Sequence, residues 1–538
     1  MQYTIPFKIC ATYGFIHFCI SLIHNIFIVY HVQVFVSSFG LSKFSFWLSE
    51  LVFLIWNSIN DTLFGYLIDK HHLGNRPADQ VIACRRALII SYCGPFLAFA
   101  FLSTWFPHWL PDFPGLRFVI VLCSYDTVVT ILDLMKGALL ADLAVSQNDR
   151  SRLGSSASIG QALSAIGLVV ISWWFDSGTD AYLFKNPFNT VKSQSKVRAM
   201  SREFQILAFF VAMFSAVGLF FSGRWLADMA LRRSTSFFSG EAHIDEQLSQ
   251  NEFKKDHMGG EIYGVQHMLI SILQIVLRPN FFVFSLMQAL QVFHCHFNSN
   301  FFPLFSKTLL GPGQESLFCV ILGVSFVLPH INNVFLLRAS ETYGTYVVIR
   351  GLFCVKVVLG VILLFFGASN LVVLSLFLAS NRIFTEGICK LLSQVISDLV
   401  DEDLVLSHRP QPISALIFGA TSLLGRPGQS FAPLVGYAIL SFFTGGSENP
   451  EVSASTESLR TACFTLAWSL VMFVGLAQLA IWSRFGLHGD YLARIKKERI
   501  TIMDQQSSTS YPIPSSPYQP LVYSTGGQFV PASRVIGI

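Results

Sequence analysis

Ionisable side chains interrupt several long apolar runs of the 538-residue chain, and they are the first candidates for chemistry. Asn57 and Asp61 lie four residues apart in one run, so on a helix they share one face. Asp126 and Asp133 lie seven apart in another run, and Arg426 interrupts a third. A charge within a membrane span is costly unless it faces water or a partner. We expect Asp61, Asp133 and Arg426 to line a solvated cavity; internal salt bridges between helices are the alternative.

Two further polar patterns permit more than one interpretation. One apolar run carries charges at four-residue spacing near its end, which is typical of internal salt bridges: Arg382, Glu386 and Lys390. The first apolar run carries a stripe of histidines at seven-residue spacing: His17, His24 and His31. An imidazole stripe can relay protons near neutral pH. The same spacing also describes one side of any packed helix, so both interpretations stay open.

Several function classes find no support in the motifs. The chain has no nucleophile elbow, phosphate loop or HExxH motif, so we do not expect an enzyme. Its ten cysteines show no metal-ligand spacing, and neither a metal site nor a cofactor is predicted. A net charge of +4 is too small to indicate a nucleic-acid partner.

The composition is that of a chain dissolved in lipid. It is 52% hydrophobic and only 13% charged, whereas soluble domains carry about 25% charged residues. Apolar runs of about 20 residues, long enough to cross a bilayer as helices, recur along the chain. The sequence therefore predicts an all-α polytopic membrane protein with spans near 11–36, 45–68, 84–106, 116–141, 156–175, 204–223, 281–305, 316–337, 345–366, 370–393, 412–442 and 461–483.

The spans divide into six, a polar interval, and six more. We predict an N-terminal six-helix bundle over 1–223 and a cytoplasmic linker over 224–261. An interfacial helix at 262–277 opens the C-terminal half, which continues as a six-helix bundle to residue 484. Residues 485–538 are predicted to be a cytoplasmic and largely disordered tail, because their end is rich in Ser, Pro and Tyr.

Lysines and arginines in the loops predict the orientation. They concentrate in the loops on the side of the two termini and the linker, with the loop at 176–203 as the exception. The positive-inside rule then places both termini in the cytoplasm. In the tail, Tyr518 to Leu521 fits a tyrosine-based endocytic sorting signal, although four-residue matches are common by chance. This signal would indicate the plasma membrane and an endocytic adaptor as a partner.

The motifs resemble those of a known family. Six plus six spans with a cytoplasmic linker resemble the major facilitator superfamily. INDTLFGYLID, LDLMKGALLADLAVSQNDRSRLG and SDLVDEDLVLSHRPQPISALIFGATSLLGRPGQSF are similar to three stretches of its glycoside–pentoside–hexuronide cation symporters, the branch of the melibiose carrier. The resemblance implies the major facilitator fold, with two six-helix bundles around a central cavity.

The resemblance also implies a cytoplasmic gate built from opposite charges. Asp69 in GYLIDK matches the family's acidic loop motif, with Arg85 and Arg86 as its basic partners. We expect Asp69 to pair with one of these arginines. Farther along, Asp142 lies within reach of Arg150 and Arg152, and we expect a second pair there: Asp142 with Arg150 or Arg152.

The departures from the branch concern its binding residues. The carrier's two helix-two aspartates correspond to Asn57 and Asp61, so one carboxylate is missing here. Its helix-one and helix-five sugar-binding residues fall on Ser21 and Ser158, beside His24 of the histidine stripe. Arg426 stands where the carrier has lysine. The intramembrane charges, the histidine stripe and the resemblance together give these cavity candidates: Asp61, Asn57, Asp133, Asp126, Arg426, Ser21 and His24. The departures from the carrier leave sodium coupling and sugar specificity in doubt.

These features predict a secondary transporter that works by alternating access. The solute would be a sugar or another small organic molecule, and the coupling ion H⁺ or Na⁺. Na⁺ binding favours several hard oxygen ligands, whereas a lone desolvated carboxylate is protonated more readily. H⁺ is therefore favoured over Na⁺. Two alternatives stay open, namely a transport-dead membrane protein that acts through its interactions, and a lysolipid transporter.

Overall fold

The computed structural model describes residues 5–33, 35, 43–73, 79–106, 110, 113–176, 202–238, 272–311, 314–367, 370–407, 409, 411–443 and 456–509. Within these residues the first half contributes six long helices: α1 (Phe7–Gln33), α2 (Lys43–Leu73), α3 (Asp79–Trp105), α4 (Pro114–Leu143), α5 (Gln147–Asp176) and α6 (Arg202–Phe238). The second half contributes seven: α7 (Pro279–Leu310), α8 (Glu315–Tyr343), α9 (Thr345–Phe366), α10 (Leu371–Leu406), α11 (Ser414–Phe443), α12 (Thr456–Trp482) and α13 (Gly489–Thr509).

The twelve helices before α13 form two bundles that each bury an apolar core. Helices α1–α6 surround one core, rich in side chains of α1, α3 and α4. Helices α7–α12 surround two further clusters, of which one is dominated by phenylalanines of α7. The bundles meet through α2 against α11 and α5 against α8, with α4 touching both α10 and α11. The predicted two-bundle architecture is confirmed.

Eight of the described helices are long and apolar enough to cross a membrane by themselves: α1, α2, α3, α4, α6, α9, α10 and α12. The other four bundle helices, α5, α7, α8 and α11, pack within the same two bundles. Helix α5 begins with the polar segment 147–158, which lies at the interface between the bundles rather than against lipid.

Glycines allow the two bundles to approach closely where α2 crosses α11. A Cβ added to Gly65 would lie 2.5 Å from the carbonyl oxygen of Ala415, and one added to Gly419 would lie 2.5 Å from that of Asp61. Real Cβ atoms do not come so near, so each position requires the absence of a side chain. This close crossing brings Asp61 and Arg426 to the same depth.

Two boundaries differ from the prediction. Helix α6 continues to Phe238, so the predicted linker from residue 224 begins within a helix. The tail predicted to be largely disordered from residue 485 contains α13, a charged helix that packs against α10. Apolar side chains of α13 such as Ile495 pack into the core of the second bundle. Composition alone does not predict such docking. Of the predicted interfacial helix, only the end from residue 272 is described.

Both described chain ends lie at the same end of the molecule, hereafter the termini face. The Ile5 amide donates to Asp149 at the start of α5, 2.9 Å away. The next residue, Arg150, contacts the end of α10, to which α13 also binds. The termini face therefore carries residue 5, the α4–α5 connection, the end of α10 and α13.

Candidate functional site

Asp61 and Arg426 form an ion pair between the two bundles. The Arg426 Nη2 and Nε atoms lie 2.8 Å and 2.9 Å from a single oxygen, Oδ2, of Asp61. The Asp61 side chain is 5% exposed and that of Arg426 28% exposed. Arg426 lies twelve residues into α11, about 18 Å from the termini face along the helix axis. The pair therefore lies deep between the two bundles.

A cavity of about 350 Å³ separates the bundles at this depth. Six of its lining side chains are carboxylates, lysines or arginines: Asp61, Asp133, Lys136, Glu386, Lys390 and Arg426. They come from α2 and α4 of the first bundle and from α10 and α11 of the second. The structure thus brings together the three residues for which the sequence predicted a shared cavity.

Asp133 is paired within its own helix. Its Oδ1 lies 2.5 Å from the Nζ of Lys136, one turn along α4. The Asp133 side chain is 58% exposed although it lies some 15 Å from the end of α4, whereas that of Lys136 is 11% exposed. An exposed carboxylate in the middle of a long helix indicates that water reaches this cavity.

The remaining predicted polar residues of α2 and α4 lie outside the described cavity lining. Asn57 is buried, and its Oδ1 has no hydrogen-bond partner in the described residues. Asp126 accepts a hydrogen bond from Asn60 of α2, whose amide also contacts Thr130 at 3.2 Å. Asn60 and Asp126 thus form a polar contact between α2 and α4, directly beside Asp61 in the chain.

Of the polar candidates on α1, one lines the cavity and the others pack against neighbouring side chains. Ser21 and His24 are half-buried and lie outside the described cavity lining, and His24 Nδ1 is 3.4 Å from the Tyr125 hydroxyl. His31 Nδ1 is 2.8 Å from the carbonyl oxygen of Phe27. His17, in contrast, lines the cavity with both ring nitrogens buried and without a hydrogen-bond partner in the described residues. The stripe is therefore mostly packing, and only His17 faces the site.

A charge cluster seals the gap between the bundles at the termini face. Arg86 Nη2 donates to Asp69 Oδ1 at 3.1 Å, and Arg86 Nε lies 2.7 Å from Asp142 Oδ2. The second oxygens of both acids accept from the start of α11: Asp69 from the Leu416 amide at 2.8 Å, Asp142 from the Ser414 hydroxyl at 2.7 Å. This cluster, Asp69–Arg86–Asp142, ties α2, α3 and α4 to α11.

A second cluster ties α5 to α10. Arg150 Nη1 lies 2.5 Å from Asp398 Oδ1 and its Nη2 lies 2.6 Å from Asp401 Oδ2, while its Nε donates to the Ala144 carbonyl oxygen. Gln147, one turn earlier, donates to Gln394 of α10 at 2.9 Å. The cluster Arg150–Asp398–Asp401 is buried, so its charge-assisted bonds are not weakened by water.

Helix α13 binds the same carboxylates from the termini face. Lys496 Nζ lies 3.0 Å from Asp398 Oδ1, and Arg499 Nε lies 3.6 Å from Asp401 Oδ1. The Tyr491 hydroxyl donates to Glu402 at 3.0 Å. Burial and then the Glu402 carboxylate raise the pKa of the Tyr491 phenol, which keeps the hydroxyl a hydrogen-bond donor at neutral pH.

The predicted gate pairs are partly correct. Asp69 does pair with an arginine of α3, and that arginine is Arg86; Arg85 is half-buried. The second prediction is wrong, because Asp142 binds Arg86 and Ser414 rather than Arg150 or Arg152. Arg150 reaches across to α10 instead, and Arg152 is exposed. Proximity along the chain indicates only partners within a loop's reach, whereas Asp142 binds Arg86 of α3 and Arg150 binds two acids of the other bundle.

Another prediction also fails at α10. Glu386 forms no ion pair within 4.0 Å with Arg382 or Lys390 among the described residues, although the spacing predicted one. Arg382 instead lies over the Phe326 ring, 4.7 Å from its centroid. Glu386 and Lys390 face the cavity. The proposed sorting signal, Tyr518 to Leu521, lies outside the described residues.

Comparisons with known proteins identify the family. No family model matches the chain. Two curated relatives, however, cover 91% of it and 95% of their own length: "Transmembrane protein 180" of Gallus gallus, 37% identical, and of Mus musculus, 38% identical. The chain belongs to the transmembrane protein 180 family. Together with the eight apolar helices, this membership makes it a multi-pass membrane protein.

Among solved structures, the fold resembles a bacterial homologue of the iron transporter ferroportin in its outward-facing state. The two superpose with a TM-score of 0.55 and 11% identity, over 89% of this chain and 100% of the other. At this identity the likeness concerns the fold alone. The chain has the major facilitator fold, as its two bundles and their contacts indicate; placement of this family in the melibiose-carrier branch stays a prediction.

Proposed function

We propose that this protein is a secondary transporter that moves a small polar solute by alternating access. One observation supports the proposal: a charged cavity lies between the two bundles, and two buried ion clusters close it at the termini face. Among the described contacts, no such cluster closes the opposite side. A static structural protein has little use for buried charges at a gap between bundles, since replacing them by apolar packing is often stabilising. A transporter needs such bonds to be broken and remade in each cycle.

The termini face is proposed to be cytoplasmic, following the distribution of lysines and arginines in the loops. The conformation described is then closed to the cytoplasm and is the outward-facing or occluded state. The clusters Asp69–Arg86–Asp142 and Arg150–Asp398–Asp401 would act as the cytoplasmic gate, with the plasma membrane as the proposed location.

H⁺ is proposed as the coupling ion. The helix-two carboxylate is engaged by Arg426, and position 57 carries an amide, so α2 offers few oxygens for Na⁺. Protonation of Asp61 would release Arg426 from the other bundle, which couples a proton to bundle movement. A sugar or other small organic solute would occupy the cavity, whose volume is at the lower end of small-molecule sites.

The lysolipid alternative has less support. An apolar groove lies between α1 and α6, lined by aromatic side chains such as Phe15, Phe214 and Trp225, with Lys8 at one end. It shares no described lining residue with the central cavity. A lipid carrier would need such a groove to open into the cavity.

Uptake by proteoliposomes tests the proposal. The full chain is reconstituted, and uptake of labelled solutes is measured with imposed H⁺ or Na⁺ gradients. Asp61→Asn should reduce any uptake at least about tenfold, since it breaks the pair between the bundles. The exposed pair Asp228–Arg232 of α6 supplies the control, because Asp228→Asn changes a carboxylate that lies outside the cavity. Binding without uptake under any gradient would instead favour the transport-dead alternative.

A further inference from the structure

The charges of the cavity balance, but they are not all paired. Three lining side chains are acidic and three are basic, with the acids Asp61, Asp133, Glu386 and the bases Lys136, Lys390, Arg426. Arg426 is 2.8 Å from Asp61, and Lys136 is 2.5 Å from Asp133. Those two pairs leave Glu386 and Lys390, for which no ion pair or hydrogen bond is formed with any other described residue.

The two unpaired side chains lie one turn apart on α10. Their backbones are separated by about 6 Å along the helix axis, and both side chains face the cavity. The nearest other charge on this helix, Arg382, is held over the rings of Phe302 and Phe326 and is absent from the described cavity lining. One helix therefore presents an anion and a cation side by side to the same cavity.

Two other buried polar side chains, with atoms unpartnered within the described part of the chain, line the same cavity. His17 of α1 is 7% exposed, and neither ring nitrogen has a hydrogen-bond partner among the described residues. Asn333 of α8 is 3% exposed, and its Oδ1 is likewise unpartnered. Both line the cavity. Unpaired buried groups of this kind cost free energy unless a ligand or water satisfies them.

We infer that the cavity binds a small zwitterion, with its carboxylate at Lys390 and its ammonium group at Glu386. Two charge-assisted hydrogen bonds of roughly 2.8 Å, one at each end, let an amino acid span side chains that start one turn apart. His17 and Asn333 supply further polar contacts. The cavity then remains neutral when it is filled, whereas a monoanion leaves Glu386 unpaired and an amine leaves Lys390 unpaired. A hexose leaves both charges without a hydrogen-bonded counter-ion.

This inference rests on the proposed transporter role, but it is tested separately by binding to the purified full-length protein. Thermal stabilisation is measured with four probes: L-alanine, propionate, ethylamine and D-glucose. Propionate lacks the ammonium group of alanine, and ethylamine lacks its carboxylate. We expect L-alanine to bind at least about tenfold more tightly than either, since each loses one bond to a charged group. If propionate or ethylamine binds the wild-type protein as tightly as L-alanine does, or if D-glucose binds more tightly, the inference is wrong.

Two variants then assign the ends of the solute. Glu386→Gln should make propionate bind as tightly as alanine, and Lys390→Gln should do the same for ethylamine. Asp228→Asn, at an exposed pair on α6, should leave the preference for alanine unchanged. Unchanged selectivity in both Glu386→Gln and Lys390→Gln would contradict the assignment. Zwitterion binding without uptake would refute transport and support this site. Uptake of another solute class, without zwitterion binding, would support transport and refute this site.

Discussion

Arg150 of α5 lies between two carboxylates of α10, 2.5 Å from Asp398 and 2.6 Å from Asp401. One guanidinium of the first bundle thus binds two carboxylates of the second, and all three side chains are buried. Removing the guanidinium would leave these two buried carboxylates with only Lys496 and Arg499 of α13 as counter-charges. Breaking a buried pair in this way costs about 3–5 kcal/mol.

We therefore predict that Arg150→Gln opens the termini face. The readout is labelling by a maleimide of a cysteine introduced at Ser151, which is 0% exposed and whose hydroxyl donates to the Leu337 carbonyl oxygen. The same chain without Ser151→Cys gives the background from native thiols. Labelling should rise at least about tenfold. Arg152→Gln, an exposed arginine of the same helix, should not change it; equal labelling in both variants would exclude a gating role for Arg150.

Helix α13 should hold the same gate closed from outside the bundle. Lys496 and Arg499 bind the carboxylates that Arg150 binds, so reversing both charges would repel α13 from α10. We predict that Lys496→Glu with Arg499→Glu increases labelling at position 151, by less than Arg150→Gln does. Arg494→Glu is the control, because Arg494 is 67% exposed and contacts only Glu498 in its own helix among the described ion pairs. Labelling that stays at the wild-type rate would mean that α13 is bound to the gate without stabilising it.

The fold could be predicted from the sequence because its main signals are local. Apolar runs separated by polar loops identify helices and bundles without any knowledge of their neighbours. The α10 partners of Arg150 and the α11 partner of Asp142 could not be predicted, since they lie more than 240 residues away. Helix α13 was missed for a related reason: its stability comes from docking on α10, whereas composition describes only the isolated segment.

The candidate site shows the same division. Intramembrane charge alone was enough to select Asp61, Asp133 and Arg426. The spacing of Arg382, Glu386 and Lys390 does not show whether they pair with one another. Arg382 stacks on phenylalanines of α7 and α8, which leaves Glu386 and Lys390 facing the cavity. Ser21 is a cavity candidate through the resemblance to the carrier, and His24 through the spacing of the histidine stripe. On α1 the described cavity lining includes Tyr13 and His17 instead.

The glycine crossing of α2 and α11 should be required for the closed termini face. A Cβ at Gly419 would meet the Asp61 carbonyl oxygen at 2.5 Å, so Gly419→Ala would force these helices apart. We predict faster labelling at position 151 and a lower melting temperature. Gly351→Ala is the control, since nothing lies within 4 Å of a Cβ there and alanine favours the helix by up to about 1 kcal/mol. If Gly419→Ala changes neither the labelling rate at position 151 nor the melting temperature, the crossing is not tight in solution.

The Asp61–Arg426 pair should show strong coupling in a double-mutant cycle. Asp61→Asn leaves the Arg426 guanidinium without its carboxylate, and Arg426→Gln leaves a nearly buried carboxylate. We expect each single change to lower the free energy of unfolding by about 3 kcal/mol, toward the smaller end because Arg426 is 28% exposed. The double variant should lose less than the sum of the two. Additive losses, measured by chemical denaturation in detergent, would show that the two side chains do not interact.

Sodium dependence is the last prediction, and Asn57 decides it. Position 57 lies one turn from Asp61 on α2, and its Oδ1 is buried without a hydrogen-bond partner in the described residues. Asn57→Asp would add a carboxylate next to Asp61, and hard cations bind more tightly as carboxylates accumulate. The wild type should therefore be stabilised equally by NaCl and choline chloride, whereas Asn57→Asp should be less stable in choline and recover in NaCl.

Asn381→Asp provides the matched control for this experiment. Asn381 is also 4% exposed with an unpartnered Oδ1, but it lies on α10 rather than α2. Its replacement should destabilise the protein about equally in both salts, because an isolated buried carboxylate becomes protonated rather than binding Na⁺. The measurement is the difference in melting temperature between the two salts. A wild-type protein that is stabilised by Na⁺ at low millimolar concentration would refute proton coupling at this site and would place a sodium site on Asp61 alone.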